Sequence, residues 1–238
     1  MYIYLFGLGL MGIVWLFFFL ARKDLRKPMI WSGNFYAVTL TASFFIWSFM
    51  HWFLAQDPAR SIIPGYWDPP TLFDLGKITG GCALEDIVFM FLAGGISSVL
   101  YEFFFDKKIS TRKVRRFKKR YALLVGVLAA IIFHKLFYLN NIYLLIVFNF
   151  FGALTILYQR KDLIPHSLLG GGLFFCVYIS MFFVFKYFYP NFLTDIYNLK
   201  LTSGVILAGI PLEEYLYSLT FGMIWAPIYE YEHNCKDK

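Results

Sequence analysis

Two adjacent carboxylates lie in one of the most apolar stretches of this chain, and this feature constrains the fold more than any other. Glu213 and Glu214 stand near the start of segment 211–231, whose other residues are largely aliphatic or aromatic. A charged side chain at a bilayer centre costs about 2.5–3.5 kcal/mol on insertion scales. The pair therefore indicates a functional site, and the structural alternative is a pair of helix-end carboxylates near the positive end of the helix dipole.

The same acidic pattern occurs earlier in the chain, at a constant offset and without a gap. The first copy aligns on the second as Leu84-Glu85-Asp86 on Leu212-Glu213-Glu214, Phe89 on Tyr217, Gly94 on Gly222, and Tyr101-Glu102 on Tyr229-Glu230. A second match, with a slightly longer offset, relates the sequence from Arg22 to Leu25 to that from Arg160 to Leu163. The chain is therefore predicted to contain an internal repeat.

The composition is that of a polytopic membrane protein. Of the 238 residues, 59% are hydrophobic and only 16% are charged, whereas a soluble domain averages about 25% charged residues. Apolar runs long enough to cross a bilayer occur at 2–20, 35–54, 80–105, 121–139, 141–158, 167–188 and 203–229. The sequence predicts an all-α integral membrane protein with seven transmembrane helices.

The repeat arranges these spans into two copies. We expect a first repeat at 1–106 with three spans, a basic loop and connector helix at 107–139, and a second three-span repeat at 140–238. Because one connector follows three spans, both copies enter the membrane in the same direction and form parallel repeats. The first copy has about ten extra residues, which are expected in the outer loop at 55–74.

The distribution of basic residues predicts the orientation. With the N-terminus outside, the inner segments carry 17 of the 22 Lys and Arg residues, and nine of these lie between Lys107 and Arg120. By the positive-inside rule, loop 107–120 and the C-terminus are expected to be cytoplasmic, in a multi-pass protein of the cell membrane. The net charge of +7 is thus attributed to contact with anionic lipid headgroups, and no nucleic-acid partner is expected.

Helix geometry predicts where the acids lie and what shares their face. The distance from Glu85 to Glu102 is roughly 25 Å along a continuous helix that rises about 1.5 Å per residue. If the Tyr-Glu ends anchor the helices at the inner headgroups, the acidic pairs lie in the outer third of the bilayer. Phe89 follows Glu85 by four positions, as Tyr217 follows Glu213, so both rings are expected to contact substrate beside the acids.

Paired carboxyls in a dry site suit acid–base chemistry. Adjacent desolvated carboxyls do not both ionise easily, so one is expected to keep its proton near neutral pH. A protonated carboxyl beside a carboxylate supplies a general acid together with a base or a cation stabiliser. The aromatic-rich composition, 22% of residues, adds ring faces that stabilise cations.

Other motifs do not indicate a cofactor or metal site. The GxGxxG pattern at 7–12 lies inside the first apolar run with no preceding strand, so helix packing explains it better than dinucleotide binding. The three cysteines form no disulfide framework, and the donors at 232–235 are too loosely placed for a metal site. His51 and His134 are each interpreted as packing residues.

The duplicated PxE(E/D)xx(F/Y) pattern, in a small seven-span chain with a basic central loop, resembles the membrane-embedded lycopene cyclases. These comprise the archaeal fused type, the bacterial heterodimeric type and the cyclase half of the fungal fused enzyme. The resemblance covers nearly the whole chain as two cyclase domains. The second copy matches closely, whereas the first has Ala83 where the pattern has proline.

The resemblance implies acid-catalysed, redox-neutral cyclisation of the end groups of lycopene or a related acyclic carotenoid to ionone-type rings of the β type. The catalytic residues it implies are Glu85, Asp86, Glu213 and Glu214. No cofactor and no metal are expected, because no flavin motif is present. Membrane lipids are the other expected partners, and association as a homo-oligomer or with other carotenoid-pathway enzymes is left open.

Three other classes of membrane protein compete with this interpretation. Glutamate-type intramembrane proteases need an arginine shortly after the acidic pair, and neither copy has one. A retinal-binding protein needs a lysine in the seventh span, and 203–229 has none. A carotenoid- or lipid-binding protein, or a proton-coupled transporter, is the non-enzymatic alternative.

Overall fold

The protein, seen here as a computed structural model, is almost entirely helical. The structure describes residues 3–54, 65–79, 82–110 and 120–237. The first half contains α1 (Ile3–Ala21), α2 (Arg26–Leu54), α3 (Leu75–Ile78), α4 (Leu84–Ser97), α5 (Leu100–Phe104) and the short strand β1 (Ile109–Ser110). The rest contains α6 (Ala122–Phe137), α7 (Asn141–Gln159), α8 (Ile164–Phe188), α9 (Phe192–Ile196), β2 (Ile206–Leu207), β3 (Ile210–Pro211), α10 (Leu212–Trp225), α11 (Ile228–His233) and β4 (Lys236–Asp237). Short 3₁₀ turns join several of these helices, at Lys23–Leu25, Leu72–Asp74, Lys161–Leu163 and Leu199–Leu201.

Four helical segments in the described part of the chain are long and apolar enough to cross a membrane. They are Ile3–Ala21, Leu84–Phe104, Asn141–Gln159 and Lys161–Phe188. Helix α6 is apolar but shorter. Its large side chains Leu124, Leu136 and Phe137 are exposed, as expected for a surface that contacts lipid.

The last predicted span, 203–229, begins later than the sequence suggested. The helix starts only at Leu212, and residues 206–211 form the antiparallel hairpin β2–β3. Ala208 and Gly209 have positive φ angles of 50° and 80°, which suits a two-residue hairpin turn. Hydropathy alone does not distinguish such an apolar hairpin from a helix. The span predicted at 80–105 likewise begins at Leu84.

The two acidic helices break at matching positions. Helices α4 and α10 start and end at positions that the gapless alignment of the two copies relates, and each is followed after a short break by a second helix, α5 or α11. Strands β1 and β4 then pair antiparallel, with Ile109 opposite Asp237. The same alignment relates these two strand residues to each other.

Two arginines fix the chain in the same manner. The Arg22 guanidinium donates to Asp24 and to the Lys107 carbonyl at 3.0 Å. The Arg160 guanidinium donates to Asp162 and to the Cys235 carbonyl at 2.7 Å. Each arginine thus connects the 3₁₀ turn after a long helix to the segment that follows the second part of an acidic helix.

Glycines permit close packing between helices. An added Cβ at Gly222 of α10 would lie 2.7 Å from the Gly171 Cα of α8, and one at Gly94 of α4 would lie 2.9 Å from the Ser32 carbonyl oxygen of α2. An added Cβ at Gly7 of α1 would lie 2.5 Å from the Phe185 ring, whereas one at Gly9 or Gly12 would meet no atom within 4 Å. Of the GxGxxG pattern, Gly7 is thus the glycine for which close helix packing is seen among the described residues.

Some predictions concern parts of the chain that the structure does not describe. These are residues 55–64 of the outer loop, residues 111–119 of the basic loop and the side chain of His51. The Nδ1 atom of His134 lies 3.3 Å from the Leu139 carbonyl oxygen, which agrees with the packing role predicted for this histidine.

Candidate active site

All four predicted acids are buried in the first turns of two helices. Glu85 and Asp86 lie in the first turn of α4, and Glu213 and Glu214 in the first turn of α10. None of the four residues is more than 7% exposed. A helix start stabilises negative charge through its free N–H groups and dipole, which explains how acids are tolerated in such apolar surroundings.

The first acid of each pair is held by the loop that precedes its helix. The Leu72 N–H donates to Glu85 Oε1 at 2.5 Å, and the Ser203 N–H donates to Glu213 Oε1 at 2.6 Å. The Tyr143 hydroxyl also donates to Glu213 Oε1, at 2.5 Å. Among the described residues, the Oε2 atoms of Glu85 and Glu213 are buried and accept no hydrogen bond. Each side chain thus has one oxygen fixed by hydrogen bonds and one that is buried without a donor among the described residues.

The second acids differ because the residue before each helix differs. Asp86 accepts a hydrogen bond from the Ala83 N–H at 2.7 Å and another from the Tyr4 hydroxyl. The first of these is the side-chain half of a capping box. Pro211 occupies the corresponding position before α10 and has no N–H to donate. Glu214 therefore cannot make the equivalent cap.

Glu214 is bound by tyrosines instead. Tyr66 donates to its Oε1 atom and Tyr178 to its Oε2 atom, both at 2.8 Å. The Tyr197 ring lies 5.3 Å from that of Tyr66, and burial, together with the nearby Glu214 carboxylate, raises the pKa of Tyr197 well above its usual value. Glu214 is thus a hydrogen-bond acceptor enclosed by phenol groups.

Aromatic contacts connect the two acidic pairs. The ring of Tyr4, which binds Asp86, lies 5.5 Å from that of Trp67. The Trp67 ring lies 5.1 Å from that of Tyr197, beside the tyrosines that bind Glu214. The two pairs therefore border one aromatic cluster, whose faces could stabilise a carbocation.

Of the two rings predicted to contact substrate, Tyr217 lies beside Tyr178, with ring centroids 6.0 Å apart. Tyr217 is buried, and its hydroxyl oxygen lies 3.2 Å from that of Tyr36 in α2. Phe89 is partly buried against the core. Their contact with substrate stays a prediction.

The far ends of the acidic helices were expected to be interfacial anchors, and their carboxylates are placed differently. Glu102 and Glu230 are both 0% exposed and lie beside the buried imidazole of His166. The continuous helix assumed for this spacing is interrupted at 98–99 in the first copy and at 226–227 in the second. The interior position was not apparent because His166 is distant in sequence from both acids.

The tyrosines that bind the acids were also missed by sequence reasoning. Tyr4, Tyr66, Tyr143 and Tyr178 are four of 17 tyrosines, and their spacing relative to the acids forms no motif. Only tertiary contacts distinguish them from tyrosines such as Tyr187, which is 80% exposed.

Comparison with known proteins identifies the class. The model of the family described as lycopene cyclase matches residues 1–104 and 140–232. The chain therefore belongs to the lycopene cyclase family, and the two matched segments agree with two fused domains. No curated protein and no solved structure matches it. Together with the apolar helices, this membership supports a membrane protein that acts in carotenoid cyclisation.

Proposed function

We propose that this protein cyclises the ends of lycopene, or a related acyclic carotenoid, to β-type rings by acid catalysis without net redox change. The observation that carries the proposal is the pair of buried carboxylate sites at the starts of α4 and α10, joined by an aromatic cluster. Such a site offers protons, proton acceptors and cation-stabilising rings in an apolar setting.

The chemistry requires a proton to enter and a proton to leave. A carboxylic acid protonates the terminal double bond of the carotenoid, which gives a tertiary carbocation. The neighbouring double bond attacks this cation and closes a six-membered ring. Loss of a proton from the ring carbon adjacent to the new cation then sets the β double bond. The proton returns to a carboxylate, so the cycle consumes nothing but the acyclic substrate.

The hydrogen bonds suggest how the acids divide this work. We assign proton donation to Glu85 and Glu213, whose Oε2 atoms accept no hydrogen bond from the described residues. Glu214 acts as cation stabiliser and proton acceptor, because both its oxygens are fixed by phenol donors. Asp86 plays the corresponding role in the first copy. The rings of Phe89 and Tyr217 contact the reacting end of the substrate.

The proposed topology has seven spans in two parallel repeats, with α6 as the connector between them. The matching breaks in the acidic helices and the equivalent Arg22 and Arg160 contacts support it. With loop 107–120 and the C-terminus in the cytoplasm, the acidic pairs lie toward the outer face of the membrane. A linear carotenoid could then present its end group to either pair.

The test is expression in a bacterial host that accumulates lycopene. We expect conversion of the red pigment to an orange-yellow product, and chromatography identifies the ring type and the number of cyclised ends. The double variant Glu85→Gln with Glu213→Gln should lose conversion, whereas Glu232→Gln, at the opposite end of α10–α11, should retain it. Full conversion by the double variant would refute the assigned acid roles. Bound pigment with an unchanged spectrum would favour a carotenoid-binding protein.

A further inference from the structure

One tyrosine of α7 binds the first acid of the second copy and has no counterpart in the first copy. The Tyr143 hydroxyl donates to Glu213 Oε1 at 2.5 Å, beside the Ser203 N–H, which donates to the same atom at 2.6 Å. The alignment that relates the two arginine contacts places Leu5 at the position of Tyr143, and a leucine side chain has nothing to donate. The two copies therefore differ in the donors that hold their first acid.

Glu85, the first acid of the first copy, is held by the backbone alone. Its Oε1 atom accepts from the Leu72 N–H at 2.5 Å, and its Oε2 atom accepts from none of the described residues. The tyrosine of α1, Tyr4, donates to the second acid, Asp86, instead. Glu85 and Glu213 are both 1% exposed, so one phenol donor distinguishes them and burial does not.

The start of α7 fixes the position of Tyr143. The Asn140 side chain caps this helix by accepting from the Ile142 N–H at 3.3 Å. The Tyr143 N–H donates to the Asn140 carbonyl at 3.0 Å. Helix α7 packs against α10, and the hydrogen bond from Tyr143 to Glu213 joins their first turns. The phenol thus approaches the acid from a capped helix end.

Two donors on one carboxyl oxygen determine which oxygen carries the proton. A protonated carboxyl has one O–H and keeps acceptor capacity on its other oxygen. Because Glu213 Oε1 accepts two hydrogen bonds, the proton of the protonated acid belongs on Oε2. Hydrogen bonds to an ionised carboxylate are roughly twice as strong as those between neutral groups. Both bonds therefore strengthen as the proton leaves, which stabilises the transition state more than the ground state.

We propose that Tyr143 is a positioning residue that keeps the Glu213 proton on Oε2 and makes the second acidic pair the faster of the two proton-donating sites. This role rests on the proposed cyclase function, and Tyr143 acts in it through Glu213. Glu85 has no phenol donor and is the slower acid. Most of the cyclisation therefore passes through the second copy.

Rates of lycopene cyclisation in membranes test this role. Tyr143→Phe keeps the ring and removes the hydroxyl, so kcat should fall about tenfold while KM stays at the parent value. In the parent protein, Glu213→Gln should cost more activity than Glu85→Gln. Adding Tyr143→Phe to Glu213→Gln should cause no further loss, because the hydroxyl acts through that acid. Tyr158→Phe, on the same helix and 79% exposed, is the matched control and should keep the parent rate.

Two kinetic outcomes would overturn the proposal. Equal losses in Glu85→Gln and Glu213→Gln would show that the two copies donate protons equally well. A further loss on adding Tyr143→Phe to Glu213→Gln would show that the hydroxyl does not act through Glu213. A lower unfolding temperature of Tyr143→Phe with an unchanged kcat would also contradict the proposal, since it would show a hydroxyl that serves stability alone.

Infrared spectroscopy of the purified protein examines the same contact without turnover. Loss of a donor from a carboxyl C=O raises its stretching frequency, so Tyr143→Phe should shift the carboxyl band that Glu213→Gln removes. An unshifted band would overturn the positioning by Tyr143 even in an active enzyme. A parent protein that does not cyclise lycopene would instead refute the proposed function, and the two failures are thus distinguishable.

Discussion

The Tyr66 hydroxyl, which lies before the first acidic helix, donates a hydrogen bond of 2.8 Å to Glu214 in the second acidic helix. These residues are 148 positions apart. This contact connects the second acidic pair to the first half of the protein. The Tyr36 hydroxyl of the first half likewise lies 3.2 Å from the Tyr217 hydroxyl of the second half. Under the proposed mechanism, the first half is therefore needed even for chemistry at the second pair.

Replacing Tyr66 by phenylalanine should slow cyclisation about tenfold. A hydrogen bond to a charged group contributes about 1.5–3 kcal/mol, and its loss leaves Glu214 with fewer donors. Burial raises the pKa of Tyr66 well above its usual value, so the hydroxyl stays a donor throughout the neutral range and the effect should not vary between pH 6 and 9. Product formation in membranes with added lycopene measures the rate. The exposed Tyr187→Phe serves as the control, and an equal rate in both variants would contradict the role of Tyr66.

Replacing Gly222 by alanine should destabilise the protein. The added Cβ would lie 2.7 Å from the Gly171 Cα, and because this neighbour is backbone, the helices must separate. Overpacking of this kind costs about 1–3 kcal/mol. Gly172→Ala is the matched control, since its added Cβ meets no atom within 4 Å. Unfolding temperatures in detergent should fall for Gly222→Ala alone, and a parent-like value for it would show that α8 and α10 do not pack this closely.

Protonation of His233 should lower the stability of the folded protein on mild acidification. Its ring stacks on Tyr229 at 4.2 Å and contacts Trp31 at 4.5 Å, and burial lowers the pKa of its imidazole below the usual value. The unfolded chain, with a pKa of about 6.5, therefore binds a proton at a higher pH than the folded protein does. This contribution to stability is present above about pH 6.5 and is lost as the pH falls toward the lower folded pKa.

Thermal unfolding between pH 5 and 7.5 measures this effect. His233→Gln should show a smaller decrease than the parent protein over that interval. Comparing these two proteins cancels the contribution of other groups, including His166. Parallel curves would show that His233 does not titrate differently in the folded and unfolded states.

The sequence by itself determined the features that depend on local pattern. The acidic pairs, the constant offset between their two copies and the apolar runs follow from residue order, because helix periodicity and hydropathy act over short segments. They were enough to predict a helical membrane protein and to suggest the family. The sequence offered the position of the acids at helix starts only as an alternative to acids inside longer spans, and the structure shows helix starts. The number and direction of the spans remain predictions from hydropathy and charge.

Tertiary structure decided which side chains meet. The tyrosines around Glu214 come from three different segments, and the clustering of Glu102, His166 and Glu230 joins three helices. No local periodicity encodes such contacts, since they depend on how distant helices pack. The first copy has Ala83 where the family pattern has proline, and the structure shows a consequence of this difference. The Ala83 N–H donates a hydrogen bond to Asp86. Pro211 has no N–H, and Glu214 accepts hydrogen bonds from tyrosines instead.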